Sequence, residues 1–348
     1  MDEGSGTTAI DFRGDNVAPT APAVLAALAE PPLANASPYG ADDATAALPG
    51  VFARAFGRPA VGWPVATGTA ANAMAVAGLL PVGGTLFCHE GAHLLCNEEG
   101  AAAHAVEGLA IVPLPGASGL LDPDALARAV AGVRGPAAVS LTQATERGTA
   151  YGLDELAALA GIARRGGLSI HMDGARLGAA CAGIATSPAA VIAASDADAL
   201  SLGLTKAGRL GTDAVVFFAP ALPEGWSRTL RRSGLLWSKA RYQSVQIHAL
   251  LRDGLWLELS ARAVRSARRL AEGLATAPGV EEVAPSASNL LLVRFAPPVR
   301  EALAASRFLV RPWREAPWMR LVTSHVTSDA DVDAFLAWLA GGVAEARA

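Results

Sequence analysis

From about residue 60 to residue 218 short apolar runs alternate with longer stretches of helical character, and this alternation restricts the fold more than any other feature. Strand-like runs fall near 60–65, 84–88, 109–114, 136–141, 167–172, 197–202 and 213–218. Helical stretches lie between several of them, notably 69–80, 122–133 and 153–165. Such repetition predicts an α/β fold: a mostly parallel, seven-stranded sheet covered by helices on both faces. Ligands of such sheets bind outside the carboxyl ends of the strands. The run 213–218 follows 197–202 after a short connection, so that pair reads as antiparallel.

The flanks read differently. Residues 1–20 form an extended arm ending at Pro19 and poor in helix formers. Helical patterns follow at 21–30 and 42–57, the second interrupted by Pro49. After Pro220 come helices near 223–233, 238–252 and 256–277. A shorter alternation closes the chain: a strand near 289–295, a helix near 298–305, strands near 307–311 and 318–323, and a helix at 329–345. This divides the 348 residues into an arm (1–20), a large domain (21–258) and a small C-terminal α+β domain (259–348). A net charge of −4 gives no reason to expect nucleic acid or an anionic membrane surface as partner. The uncharged run Val65–Cys88 is broken by Asn72, Pro81 and Gly83–Gly84, so it reads as core and not as a membrane span. The N-terminus lacks the basic-then-apolar pattern of a signal peptide. Three cysteines without CxxC spacing argue against a disulfide framework and fit a reduced, cytoplasmic compartment.

Of 28 basic residues only Lys206 and Lys239 are lysines. Arginine replaces lysine as a positive charge, but not where an amine must lose its proton and attack a carbonyl. Lys206 ends an apolar, strand-like run, where desolvation lowers an amine's pKa, so it reads as a Schiff-base lysine. Three further strand ends fit the same chemistry. Thr67-Gly68-Thr69 passes from a strand into a helix, whose free N–H groups and dipole suit a phosphate; ordinary capping by Thr67 or Thr69 is the plainer alternative. Asp173 stands at the end of a strand in His171-Met-Asp-Gly-Ala-Arg176, where it either holds a pyridinium nitrogen protonated or caps a helix. Arg176 can fork onto a phenolate or carboxylate. In His89-Glu90-Gly-Ala-His93 a histidine can stack on a cofactor ring or act as a base; a metal site there lacks a further ligand pattern. Arg320 lies inside an apolar strand, and a buried guanidinium requires an anion, either a substrate carboxylate or an internal partner.

These segments, in this order, resemble the threonine aldolase / β-eliminating lyase family of pyridoxal 5'-phosphate enzymes of fold type I. The resemblance runs from Ile10 to about Phe335. It is carried by Asp11-Phe-Arg-Gly-Asp15-Asn-Val, Pro38-Tyr-Gly-Ala-Asp42, Thr67-Gly-Thr-Ala-Ala-Asn72, His89-Glu-Gly-Ala-His93, Thr142-Gln-Ala-Thr-Glu-Arg-Gly148, His171-Met-Asp-Gly-Ala-Arg176, Ser201-Leu-Gly-Leu-Thr-Lys206 and Arg320-Leu-Val-Thr-Ser. It implies that Lys206 forms the Schiff base, Asp173 pairs with the pyridine nitrogen and His93 stacks on the ring. Thr67, Gly68 and Thr69 would hold the phosphate, and Asp15, Arg176 and Arg320 would bind the substrate, the two arginines at its carboxylate. Arg241 would reach a neighbouring subunit's phosphate, making a homodimer or homotetramer the working form. The implied activity is cleavage of L-β-hydroxy-α-amino acids (the threonine, allo-threonine and phenylserine class) to glycine and an aldehyde; the alternatives are β-elimination or a related amino-acid transformation on the same scaffold, and then a non-catalytic cofactor-binding homologue. The chain departs from the family pattern at Gly14, where the family has a serine, and at Thr145, where some members carry a second histidine. Deprotonation of the substrate hydroxyl then falls to His93, a water or Glu146. Gly234-Leu235 replaces the Gly-His found in phenylserine-type relatives.

Overall fold

The computed structural model describes residues 9–30 and 35–341. Residues 1–8 of the expected arm and 342–345 of the expected last helix lie outside the described residues. The strands in chain order are β1 (Ile10–Asp11), β2 (Val61–Val65), β3 (Thr85–His89), β4 (Ala110–Leu114), β5 (Ala137–Thr142), β6 (Ser169–Gly174), β7 (Ala199–Leu202) and β8 (Asp213–Phe217). They continue with β9 (Val280–Val283), β10 (Leu290–Phe295), β11 (Phe308–Leu309), β12 (Arg311–Pro312) and β13 (Trp318–Val322).

The large sheet has the order β2-β8-β7-β6-β5-β3-β4. Pairings from β7 through β4 are parallel, and β8 runs antiparallel to both β7 and β2. All residues of β5, β7 and β8 are buried, as expected for strands covered on both faces. The expected helices appear as Gly68–Leu79, Pro123–Gly132 and Leu153–Arg165. Pro49 divides the pattern at 42–57 into Asp43–Ala46 and Leu48–Phe56 and sits in the first turn of the second, where its missing N–H leaves no helical bond unmade. No single helix among the described residues is long and apolar enough to cross a membrane.

A four-stranded antiparallel sheet, order β12-β13-β10-β9, forms a second centre. Its core gathers Phe295, Phe308 and Phe335 together with Phe12 from the arm. The arm is therefore stitched in: β1 pairs with β11, and Val322 N–H donates to Phe12 O at 2.8 Å. The continuous helix Leu255–Leu274 joins the two cores. Trp256 and Leu259 belong to the large core, and Ala267, Leu270 and Leu274 to the small one. The division drawn at 258/259 thus falls within a helix whose two ends serve different cores.

Candidate active site

The carboxyl ends of β3, β5, β6 and β7 face the same side of the sheet because their pairing is parallel. Successive side chains of a strand alternate faces, so His171 and Asp173 of β6 share one. Asp173 is buried and receives neutral donors: Asn72 Nδ2 at 3.2 Å on Oδ2 and Ala175 N–H at 3.0 Å on Oδ1. Asn72 also donates to Glu98 Oε1 at 2.8 Å. Burial raises the pKa of Glu98, with Asp173 adding to the rise. Beneath them, His171 bridges Ser140 Oγ (2.9 Å) and Ser201 Oγ (2.8 Å), and burial pushes its pKa down to about 4. The ring is thus neutral and brings no cation to Asp173.

Lys206 lies in the short turn that follows β7. Asp213 Oδ1, at the start of β8, accepts the N–H groups of Leu204 (2.7 Å) and Thr205 (2.8 Å), which fixes this turn. Gly203 lets it approach β6: a Cβ there would stand 2.5 Å from Ala175 Cα and Ala175 O. Burial, then the charge of Arg176, lowers the pKa of Lys206 and so loosens its proton. Thr67 caps the helix Gly68–Leu79 through Oγ1, which accepts Ala70 N–H at 3.1 Å. A Cβ on Gly68 would meet nothing nearer than Asp213 Oδ2 at 3.8 Å, so the first turn of this helix is open to a ligand. Gly68, Thr69, Asn72, His93, Asp173 and Lys206 all line one cavity of about 380 Å³.

His93 opens a short helix beyond β3, and its Nδ1 is 3.4 Å from Glu146 Oε1. Glu146 raises the histidine's pKa against the opposing effect of burial. His89 does not join it: its Nδ1 accepts Gly91 N–H at 2.8 Å, and its Nε2 lies 3.2 Å from Gly116 O.

The arginines and Asp15 differ in how far they are already partnered. The Arg176 fork was expected on a phenolate or a substrate carboxylate, and Asp15 on the substrate. Arg176 donates from Nε (2.7 Å) and Nη2 (3.0 Å) to Asp15, with only 5% and 2% of the two side chains exposed. Asn289 Nδ2 donates to the same carboxylate at 3.1 Å. A guanidinium so deeply buried needs an internal counter-ion, and the arm supplies it. Arg320 on β13 is the less satisfied cation. Nη1 donates to Arg13 O at 3.2 Å, Nε is buried without a partner, and burial followed by repulsion from Arg176 brings its pKa to about 10. Arg241 begins the helix Arg241–Leu251, stacks 5.0 Å above Tyr242, and lies outside the cavity of its own chain.

Sequence reasoning gave no role to Glu98, Ser201 or Asp213. The aspartate opening the apolar run Ala214–Phe217 was a usable signal; Glu98, inside Asn97-Glu-Glu-Gly100, reads as an ordinary turn.

The model of the family described as beta-eliminating lyase matches residues 11–297. The low specificity L-threonine aldolase of Pseudomonas aeruginosa is 35% identical over 308 residues, covering 87% of this chain and 88% of that protein. The enzyme of the same name from a Pseudomonas sp. is 33% identical and covers 84% and 86%. Among solved structures, Leishmania major threonine aldolase superposes with a TM-score of 0.87 at 25% identity, covering 96% of this chain and 99% of its own. Sphingomonas wittichii serine palmitoyltransferase shares the fold alone, with a TM-score of 0.72 at 16% identity and coverage of 98% and 89%. The architecture implied by the resemblance, fold type I, is the architecture found. The family match includes every site residue named above except Arg320, and on that breadth the chain belongs to the beta-eliminating lyase family.

Proposed function

We propose that this protein is a pyridoxal 5'-phosphate-dependent aldolase that cleaves L-β-hydroxy-α-amino acids to glycine and an aldehyde. One observation carries the reading. A lysine with a loosened proton, a carboxylate lacking a cationic partner and an open helix N-terminus surround a single cavity. These needs match an aldehyde, a pyridinium nitrogen and a phosphate on one molecule. The relatives named threonine aldolase support the same reading.

Lys206 would attach the cofactor through its amine, Asp173 would face the ring nitrogen, and His93 would lie against the ring. Thr67, Gly68 and Thr69 would receive the phosphate at the positive end of their helix. The bound cofactor supplies an electron sink for the pair left at Cα when Cα–Cβ breaks. The protein's own groups choose that bond. Arg320, short of partners, takes the substrate carboxylate, while Arg176, committed to Asp15, contributes mainly positive potential behind it. Asn72 holds Asp173 in place through a neutral donor and so leaves its charge available to the ring. The Lys206 amine, its proton loosened by burial, would return a proton to Cα.

The experiment is product analysis on the purified holoenzyme with L-threonine, L-allo-threonine and phenylserine. Glycine plus aldehyde is expected, and Lys206→Ala should abolish both turnover and the cofactor's absorbance near ~420 nm. Keto acid and ammonia in their place would establish β-elimination and overturn the aldolase reading. Arg241, which opens a helix away from its own cavity, fits a site completed by a neighbouring subunit in a homodimer or homotetramer.

A further inference from the structure

Breaking Cα–Cβ requires a base for the β-hydroxyl, and two titratable groups meet at the edge of the cavity that Lys206 lines. We infer that Glu146 is a positioning residue that orients the His93 imidazole as this base; the inference rests on the aldolase reading above. Glu146 stands in a tight turn just beyond β5. Thr145 N–H donates to Thr149 O (2.9 Å), Gly148 N–H donates to Thr145 O (3.0 Å), and the two threonine hydroxyls lie 2.6 Å apart. Gly148 has φ of 86°, and a Cβ there would stand 2.3 Å from Leu290 O. The turn is therefore pressed against β10 of the small sheet and cannot swing aside.

The Glu146 side chain, 13% exposed, lines a second cavity of about 330 Å³ with His89, Ser118, Arg147 and Arg314. His93 lines the cavity that holds Lys206. The His93–Glu146 contact thus links a residue of the cavity that Lys206 lines with a residue of this second cavity, which would take the substrate's β-substituent. His93 Nδ1 is buried and lacks any aligned hydrogen bond, and Glu146 Oε1 at 3.4 Å is its charge partner. Such contacts tighten once substrate is bound. A carboxylate beside Nδ1 keeps the proton on that atom and leaves the Nε2 lone pair free, as in other carboxylate-oriented imidazoles.

The other charges around the pair assign the proton to the ring. Asp173 and Glu98 act with Glu146 on His93, and Lys206 opposes them. Glu146 faces Arg176, Lys206 and Arg320. Burial alone would raise its pKa, but His93 and these cations hold it well below the usual carboxylate range. The β-hydroxyl proton then passes to Nε2, and the O–H electron pair becomes the aldehyde C=O bond. The Cα–Cβ pair stays on Cα, which takes up a proton to complete glycine, so none is consumed overall.

The test compares Glu146→Gln, Glu146→Asp, His93→Asn and the Glu146→Gln/His93→Asn double variant as holoenzymes. In Glu146→Gln the acid limb of kcat/KM for L-threonine cleavage should move about one unit toward lower pH, and the plateau should fall about 10–100-fold. Glu146→Asp, which keeps the charge, should restore most of the limb. The double variant should be no slower than His93→Asn alone. A second readout does not use turnover: diethyl pyrocarbonate modifies only neutral imidazole, and peptide mass mapping gives the pH midpoint for His93, which should move with the limb. An unchanged midpoint and limb in Glu146→Gln, or a double variant much slower than His93→Asn, would overturn the inference. Should no hydroxy amino acid yield glycine, the aldolase reading fails, while the midpoint still reports whether Glu146 governs His93.

Discussion

Asp15, a candidate substrate ligand in the sequence, has a buried partner in the fold. Its carboxylate neutralises Arg176 and ties the arm to the site. Burial would raise its pKa, but Arg176, Lys206 and Asn289 outweigh burial and hold it below the usual carboxylate range. A depressed carboxyl adds stability above its unfolded pKa of about 3.9 and loses it as pH falls through the folded value. Asp15→Asn leaves the guanidinium without a counter-ion and should cost about 3–5 kcal/mol at pH 7. The gap from wild type should stay constant between about pH 5 and 7 and narrow below about pH 4. Denaturant unfolding across that range checks it; a gap that widens toward acid would refute the assignment.

At the scale of elements, the small sheet is held by aromatic packing on its helix-covered face. Phe335, on the helix Asp329–Ala340, has its ring centroid 5.4 Å from Phe12, 5.0 Å from Phe308 and 6.0 Å from Trp338. Phe335→Ala should destabilise by about 3–5 kcal/mol, since the cluster cannot collapse around the void from several directions at once. β13 carries both Leu321 of this core and Arg320, proposed to hold the substrate carboxylate, so KM for the amino acid should rise more than kcat falls. A stability loss with unchanged KM would separate core from site. The strands of the large sheet were legible in the sequence to within two residues because each is an apolar run bounded by turn residues. β9 was not: Val280-Glu-Glu-Val283 offers no apolar run, and only pairing with β10 makes it a strand.

At the scale of the whole molecule, Arg241 lies outside its own chain's cavity, which fits a site shared between copies. If Lys206 and Arg241 of different subunits complete one site, then mixing Lys206→Ala with Arg241→Ala chains should restore about a quarter of wild-type activity. Half the dimers are then mixed, and each mixed dimer has one intact site. Co-expression with two affinity tags tests this, because every doubly tagged dimer is mixed and should show about half of wild-type activity; no recovery would place Arg241 elsewhere.

Periodicity and punctuation determined the α/β layout and the antiparallel turn-back of β8, and the scarcity of lysine singled out Lys206 as a candidate, because each is written in consecutive residues. Which arginine is already neutralised, which carboxylate stands beside His93 and what supports the lysine turn were decided only by folding. Those pairs join residues 15 and 176, 93 and 146, and 204 and 213. Electrostatic partnership depends on distance in space, and no run of neighbouring residues encodes it.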